Sequence, residues 1–173
     1  MHVVFGNEIQ HYQRFIGKAN ASLFIMTKPP VLKTFLWFPG NMQEALDFYV
    51  AELGAVIHGE NRPGGNLFTA DFSIAGHSFI GMNWPGGPEF NDSISLSLNV
   101  DGQEEVDRYW DAITREGEPG QCGWCKDKWG VTWQVSPIQM RDYLESSDPE
   151  VATYANEALM KMSKIVIADF VKH

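Results

Sequence analysis

Cysteine is scarce: Cys122 and Cys125 are the only two in 173 residues. A small secreted domain stapled by disulfides uses more, so that class is excluded. Basic residues are also few, 13 Lys and Arg against 22 Asp and Glu, for a net charge of −9. No Lys/Arg run offsets the acids. Neutralised phosphates supply most nucleic-acid affinity, so a nucleic-acid partner is excluded. An anionic membrane surface is excluded on the same ground. No apolar run approaches the ~20 residues of a membrane span. The N-terminus has no basic region followed by a long apolar stretch, so no signal peptide is expected and the expected compartment is the cytoplasm.

Aromatics, by contrast, are abundant: six Trp, eleven Phe and five Tyr, within an apolar content of 44%. This suffices for one core shared by a single domain or by two small halves. It also supplies side chains of the kind that line small-molecule pockets. Residues 1–25 have no sustained hydrophobic period, and Met26-Thr27-Lys28-Pro29-Pro30 reads as a fresh beginning. The expected organisation is an N-terminal extension over 1–30, a main domain over 31–140 and a C-terminal helical segment over 141–173.

From residue 31 the punctuation is regular. Residues 31–38 predict a strand, and Pro39-Gly40 a turn. Asn41 with Glu44 reads as a capping box, opening a helix whose apolar face is Met42, Ala45, Leu46, Tyr49 and Leu53. Gly54 stops it. Residues 55–60 predict a strand, and 67–74 with 77–83 a hairpin around Ala75-Gly76. After Pro85-Gly86-Gly87-Pro88, residues 93–99 alternate strictly, as a half-buried strand does. Asp101 with Glu104 then caps a second helix bearing Val106, Tyr109, Trp110 and Ile113. A shift of 60 residues lays Asn41 on Asp101, Leu46 on Val106, Tyr49 on Tyr109 and Leu36 on Leu96. The chain therefore carries a quasi-repeat, over 31–85 and 91–138. A last strand is expected over 131–136, and Asp148-Pro149-Glu150 opens a C-terminal helix.

Two tandem βαβββ halves resemble the vicinal-oxygen-chelate superfamily of glyoxalases, bleomycin-resistance proteins and extradiol dioxygenases. Several strings are similar to its PhnB-like family, also labelled demethylubiquinone methyltransferase-like. They include Phe35-Leu36-Trp37-Phe38, Ala45-Leu46-Asp47-Phe48-Tyr49, Phe90-Asn91-Asp92-Ser93-Ile94-Ser95, Gly117-Glu118-Pro119-Gly120-Gln121-Cys122-Gly123-Trp124 and Lys126-Asp127-Lys128-Trp129-Gly130-Val131-Thr132-Trp133-Gln134. The resemblance spans about residues 31–170. It implies an α+β fold of two βαβββ modules around a cleft, with a C-terminal helical extension, and a homodimer. A doubly wound methyl-donor site needs a glycine-rich turn opening a helix, whereas Gly64-Gly65 and Gly86-Gly87 lie between expected strands.

In the superfamily's metal enzymes, the first and last strand of each half each provide one ligand. By the resemblance those positions fall on Lys33, Gly81, Ser93 and Gln134, none of them the imidazole, thiolate or carboxylate that a divalent metal takes. No metal and no cofactor are therefore expected. Strand alternation extends the expected cleft lining to Lys33, Phe35, Trp37, Phe79, Asn83, Ser93, Ser95, Ser97, Thr132 and Gln134. This lining suits a small organic ligand with a few polar groups, and Lys33 could pair with an acidic one. The leading reading is metal-free binding of such a molecule in the cleft between the two modules, with no catalytic residue named. The alternative is a metal-dependent lyase, isomerase or dioxygenase with non-standard ligands. Cys122-Gly123-Trp124-Cys125 sits in an expected strand or turn, without the helix N-terminus that lowers a thiol pKa, and reads as incidental. His58 and His77 read as surface or packed residues.

Overall fold

A computed structural model describes residues 29–172. All but the end of the expected N-terminal extension lies outside the described residues. The described residues from 33 on form one compact unit, which holds every described helix and strand.

The first module runs β1 (Thr34–Phe38), α1 (Met42–Leu53), β2 (Val56–Asn61), β3 (Thr69–Ile74) and β4 (His77–Asn83). The second runs β5 (Leu96–Val100), α2 (Gly102–Thr114), β6 (Glu118–Pro119), β7 (Trp124–Lys126) and β8 (Thr132–Pro137). Each forms a four-stranded mixed sheet, ordered β1-β4-β3-β2 and β5-β8-β7-β6. The outer pairs β1–β4 and β5–β8 are parallel and the remaining pairs antiparallel. The fold is thus α+β with two βαβββ modules, as the quasi-repeat implies.

The apolar face of α1 is buried at Met42, Ala45, Leu46, Tyr49 and Leu53, and Gly54 closes the helix at φ 67°, a left-handed conformation that glycine adopts without steric cost. The capping boxes do not form. Neither Asn41 nor Asp101 makes a side-chain cap bond. Instead Asn83, at the end of β4, accepts from the Met42 amide at 3.2 Å and donates to the Leu67 carbonyl. Gln139, just beyond β8, accepts in the same way from the Gly102 amide at 3.2 Å. The first orphan amide of each of these two helices is therefore met across the sheet by a residue at or just past the end of the parallel partner strand. Glu44 turns outward to Lys128.

Two strand starts differ from expectation. β1 begins at Thr34 rather than residue 31. β5 begins at Leu96 rather than 93, because the Asn91 side chain accepts from the Ser93 amide at 2.9 Å and holds residues 91–93 in a turn.

One hydrophobic cluster spans both modules, and Asp127 lies within it, 3% exposed. Its Oδ2 accepts from Tyr49 Oη of α1 at 2.7 Å and from Trp133 Nε1 at 3.0 Å. Its Oδ1 accepts from the Trp129 and Val131 amides, each at 3.0 Å. This one carboxylate, fully bonded as a buried charge must be, ties the β7–β8 turn of the second module to the helix of the first. Phe38 meets Phe90 edge-on nearby.

Beyond β8, α3 (Met140–Leu144) and α4 (Pro149–Leu159) lead into a strap. Asp148 caps α4 through the Glu150 amide. The carbonyls of Met162 and Ser163 accept from the amides of Cys122 and Gly123. Gln103 of α2 bonds both the Ile165 carbonyl and the Ile167 amide. Ile165 and Phe170 are buried. Among the described residues no helix is long and apolar enough to cross a membrane.

Candidate functional site

Residues paired across a sheet share a face. In the first sheet, Phe35 pairs with Ile80 and Trp37 with Met82, and these continue to Asp71 and Thr69 on β3. This face turns away from α1. Lys33 belongs to it, because its ammonium is paired with the Asp71 carboxylate. Phe35 is exposed. Trp37 donates from Nε1 to the Trp84 carbonyl at 2.7 Å and packs so closely on the loop that a Cβ at Gly87 would lie 2.7 Å from its ring.

Phe79, Gly81 and Asn83 do not join this face. Gly81 pairs with Leu36 and Asn83 with Phe38, both on the helix side. A Cβ on Gly81 would lie 2.5 Å from Met42 Sδ of α1. Phe79 is buried and stacks on Phe72, and Asn83 caps α1. The expectation misses by one residue, which in a strand exchanges the faces. The repeat itself carries the correction. Gln134 pairs with Ser97, the 60-residue counterpart of Trp37, and Trp37 pairs with Met82. Met82, not Gly81, is therefore the counterpart of Gln134.

In the second sheet, Ser97, Gln134 and Trp124 form one cross-strand row, and Thr132, Lys126 and Glu118 the next. Ser95 accepts from Gln134 Nε2 at 2.7 Å. Thr132 donates from Oγ1 to Asp92 Oδ1 at 2.9 Å, and Lys126 Nζ lies 3.2 Å from the same oxygen. The Thr132 hydroxyl and the Lys126 ammonium hold the Asp92 carboxyl below its ordinary pKa. Ser93 stands apart, in the turn before β5. Of the ten expected lining residues, seven lie on helix-free faces: Lys33, Phe35, Trp37, Ser95, Ser97, Thr132 and Gln134.

A cavity of about 490 Å³ opens on the second of these faces, lined by residues of the second module alone rather than by a cleft between the two, and of the ten expected residues only Thr132 lines it. Its lining includes Trp124, Lys126, Thr132, Asp92, Gln121 and Glu118. Sequence reasoning missed five of these six, and missed Asp71. The signal for Asp71 was present, since Thr69-Ala70-Asp71-Phe72-Ser73-Ile74 alternates cleanly. For Trp124 and Lys126 the signal was only the family string, because a three-residue strand is too short to show a period.

Lys33, Met82, Ser93 and Gln134 do not fit a metal: two of them bring no donor for a divalent ion, and the others are a hydroxyl and a carboxamide. Among the described residues no three His, Cys, Asp or Glu side chains cluster as a metal site. His77 Nε2 lies 2.8 Å from Thr34 Oγ1, and His58 Nε2 lies 2.9 Å from Ser73 Oγ. Both cysteines are free. Cys122 sits at φ 56° in a tight turn. Cys125 is buried, and burial, then the neighbouring Asp127, push its thiol up to about 12.

A family model, 3-demethylubiquinone-9 3-methyltransferase, matches residues 30–136. The chain belongs to this family. It is the PhnB-like branch of the vicinal-oxygen-chelate superfamily. The PhnB protein of Bacillus cereus is 24% identical with a TM-score of 0.58, over 63% of this chain and 100% of that one. Protein PA1353 of Pseudomonas aeruginosa is 24% identical at 0.55, over 63% and 98%. The fosfomycin resistance protein FosX of Listeria monocytogenes is 16% identical at 0.52, over 69% and 99%. At these identities the likeness is one of fold. Among curated proteins, none matches the chain.

Proposed function

We propose that this PhnB-like chain binds a small organic molecule on the helix-free side of its sheets, without the superfamily's metal. The observation that carries this reading is the roughly 490 Å³ cavity walled by an indole, a hydroxyl, an amide and an ion pair. Pockets for small ligands have this make-up, an apolar surface with a few placed polar groups. The donor set at the metal positions supports the metal-free half of the reading. The family label names a methyl transfer, yet Gly64 and Gly65 lie in a turn between β2 and β3 and Gly86 lies beyond β4. No glycine turn there opens a helix for a doubly wound donor site.

The test is extraction of protein purified without a metal-binding tag, followed by mass spectrometry of the extract and elemental analysis. A co-purifying organic molecule with substoichiometric metal is expected. One divalent ion per chain, lost together with ligand binding on chelation, would instead establish the metal-dependent lyase, isomerase or dioxygenase reading.

A further inference from the structure

We propose that the cavity beside β6 and β7 selects a flat organic cation, whose ring lies against Trp124 and whose charge faces Glu118. This rests on the ligand-binding reading above and narrows it to a chemical class.

An acidic ligand would need a free ammonium or guanidinium. Lys126 is the cavity's cation, and its ammonium is engaged by Asp92 at 3.2 Å. Lys33, on the corresponding face of the first module, is engaged by Asp71. An incoming carboxylate or phosphate would have to break one of these pairs and leave an acid behind. Glu118, in contrast, is exposed and has no side-chain hydrogen bond or ion pair among the described residues. It sits in cross-strand register with Lys126, so it projects from the same face. Two acids and one base leave the cavity at −1. The chain's −9 adds a long-range field of the same sign, which draws cations and repels anions.

Trp124 provides the second half of the recognition. It is half-buried, lines the cavity, and lies in the row next to Glu118 and Lys126. A cation held against an indole face gains from the ring quadrupole, and a flat apolar body gains from its area. The turn that carries Trp124 is fixed from behind: Ser163 donates to the Gly120 carbonyl at 2.5 Å, and the Met162 and Ser163 carbonyls accept from Cys122 and Gly123. The wall is therefore preformed, and binding does not have to order it.

The test uses three probes with one body: 1-naphthylmethylammonium, 1-naphthylmethanol and 1-naphthoate, titrated by calorimetry and by chemical-shift mapping. The expected order is cation, then neutral, then anion, with the anion at least about 10-fold weaker than the cation at low salt. The advantage of the cation should shrink as salt is raised. Glu118→Gln should remove about 3- to 10-fold of cation affinity and leave the alcohol unchanged, a readout that loss of folding cannot mimic. Trp124→Ala should weaken all three. Equal binding of the three probes at Trp124, or preference for the naphthoate, overturns the charge selection and leaves the binding reading standing. Shifts confined to residues outside this cavity, with no co-purified ligand, overturn both.

Discussion

Asp127 shows how one side chain can join two modules. Burial raises its carboxyl above the ordinary value, against the pull of Tyr49, Trp133 and two amides. Replacing it by Ala strands all four donors in the core. Asp127→Ala is expected to cost about 3–5 kcal/mol, read as a lowered urea midpoint. Asp127→Asn keeps an acceptor for the amides but turns an NH₂ toward the Trp133 indole N–H, and should cost about 2 kcal/mol. An unchanged midpoint in the Ala variant would mean that the donors find other partners. Cys125 makes a second residue-scale prediction. Its raised pKa keeps the thiol neutral in the folded state up to about pH 12. At pH 8 without denaturant it should not react with a disulfide reagent, and in urea it should. The unfolded thiol ionises from about pH 9 while the folded one does not. Stability should therefore fall as pH rises through this window, by at most about 1.4 kcal/mol per pH unit from this group. Fast labelling of Cys125 in the native state would contradict its burial.

At the scale of elements, the first residue of α1 and of α2 is capped from the end of the partner strand or just beyond it rather than from its own sequence. Asn83→Ala should therefore destabilise by about 1–2 kcal/mol, since it leaves the Met42 amide and the Leu67 carbonyl short of a partner. Asn41→Ala should lie within about 0.5 kcal/mol of the parent. Comparing the two by chemical denaturation decides the matter, and the reverse order would restore the local capping box. The same tertiary capping explains why the repeat is visible at Asn41 and Asp101 although neither side chain caps. Their short polar side chains mark where the chain leaves the strand, while the hydrogen bond comes from elsewhere.

For the whole molecule, β1 and β5 are both sheet edges, and Phe35 at 54% and Ile94 at 74% stand exposed on or beside them. Unpaired edges carrying apolar side chains invite another strand. We expect light scattering coupled to size exclusion to give twice the chain mass, and Phe35→Lys with Ile94→Lys to shift it toward one chain mass. A parent protein that runs as a monomer at all concentrations would remove this expectation.

Much of the architecture was legible because periodicity is a property of consecutive residues. The apolar face of α1, the hairpin at Ala75-Gly76 and the 60-residue repeat all follow from spacing alone, and the family strings set them in order. The cleft was legible only in part. Lys33, Phe35 and Trp37 do share one face, whereas Phe79, Gly81 and Asn83 lie one residue out of phase with it. Alternation says which residues of a strand travel together. It does not say which of the two sets faces the helix, and that depends on the register with β1. The partners Asp71 for Lys33, Asp92 for Lys126 and Tyr49 for Asp127 lie 38, 34 and 78 residues away. What the sequence alone determined is the pattern of elements and their repeat. Only the tertiary structure decided which charges are already paired and where the cavity lies, because an ion pair is fixed by distance in space, and distance across a sheet is set by pairing rather than by order along the chain.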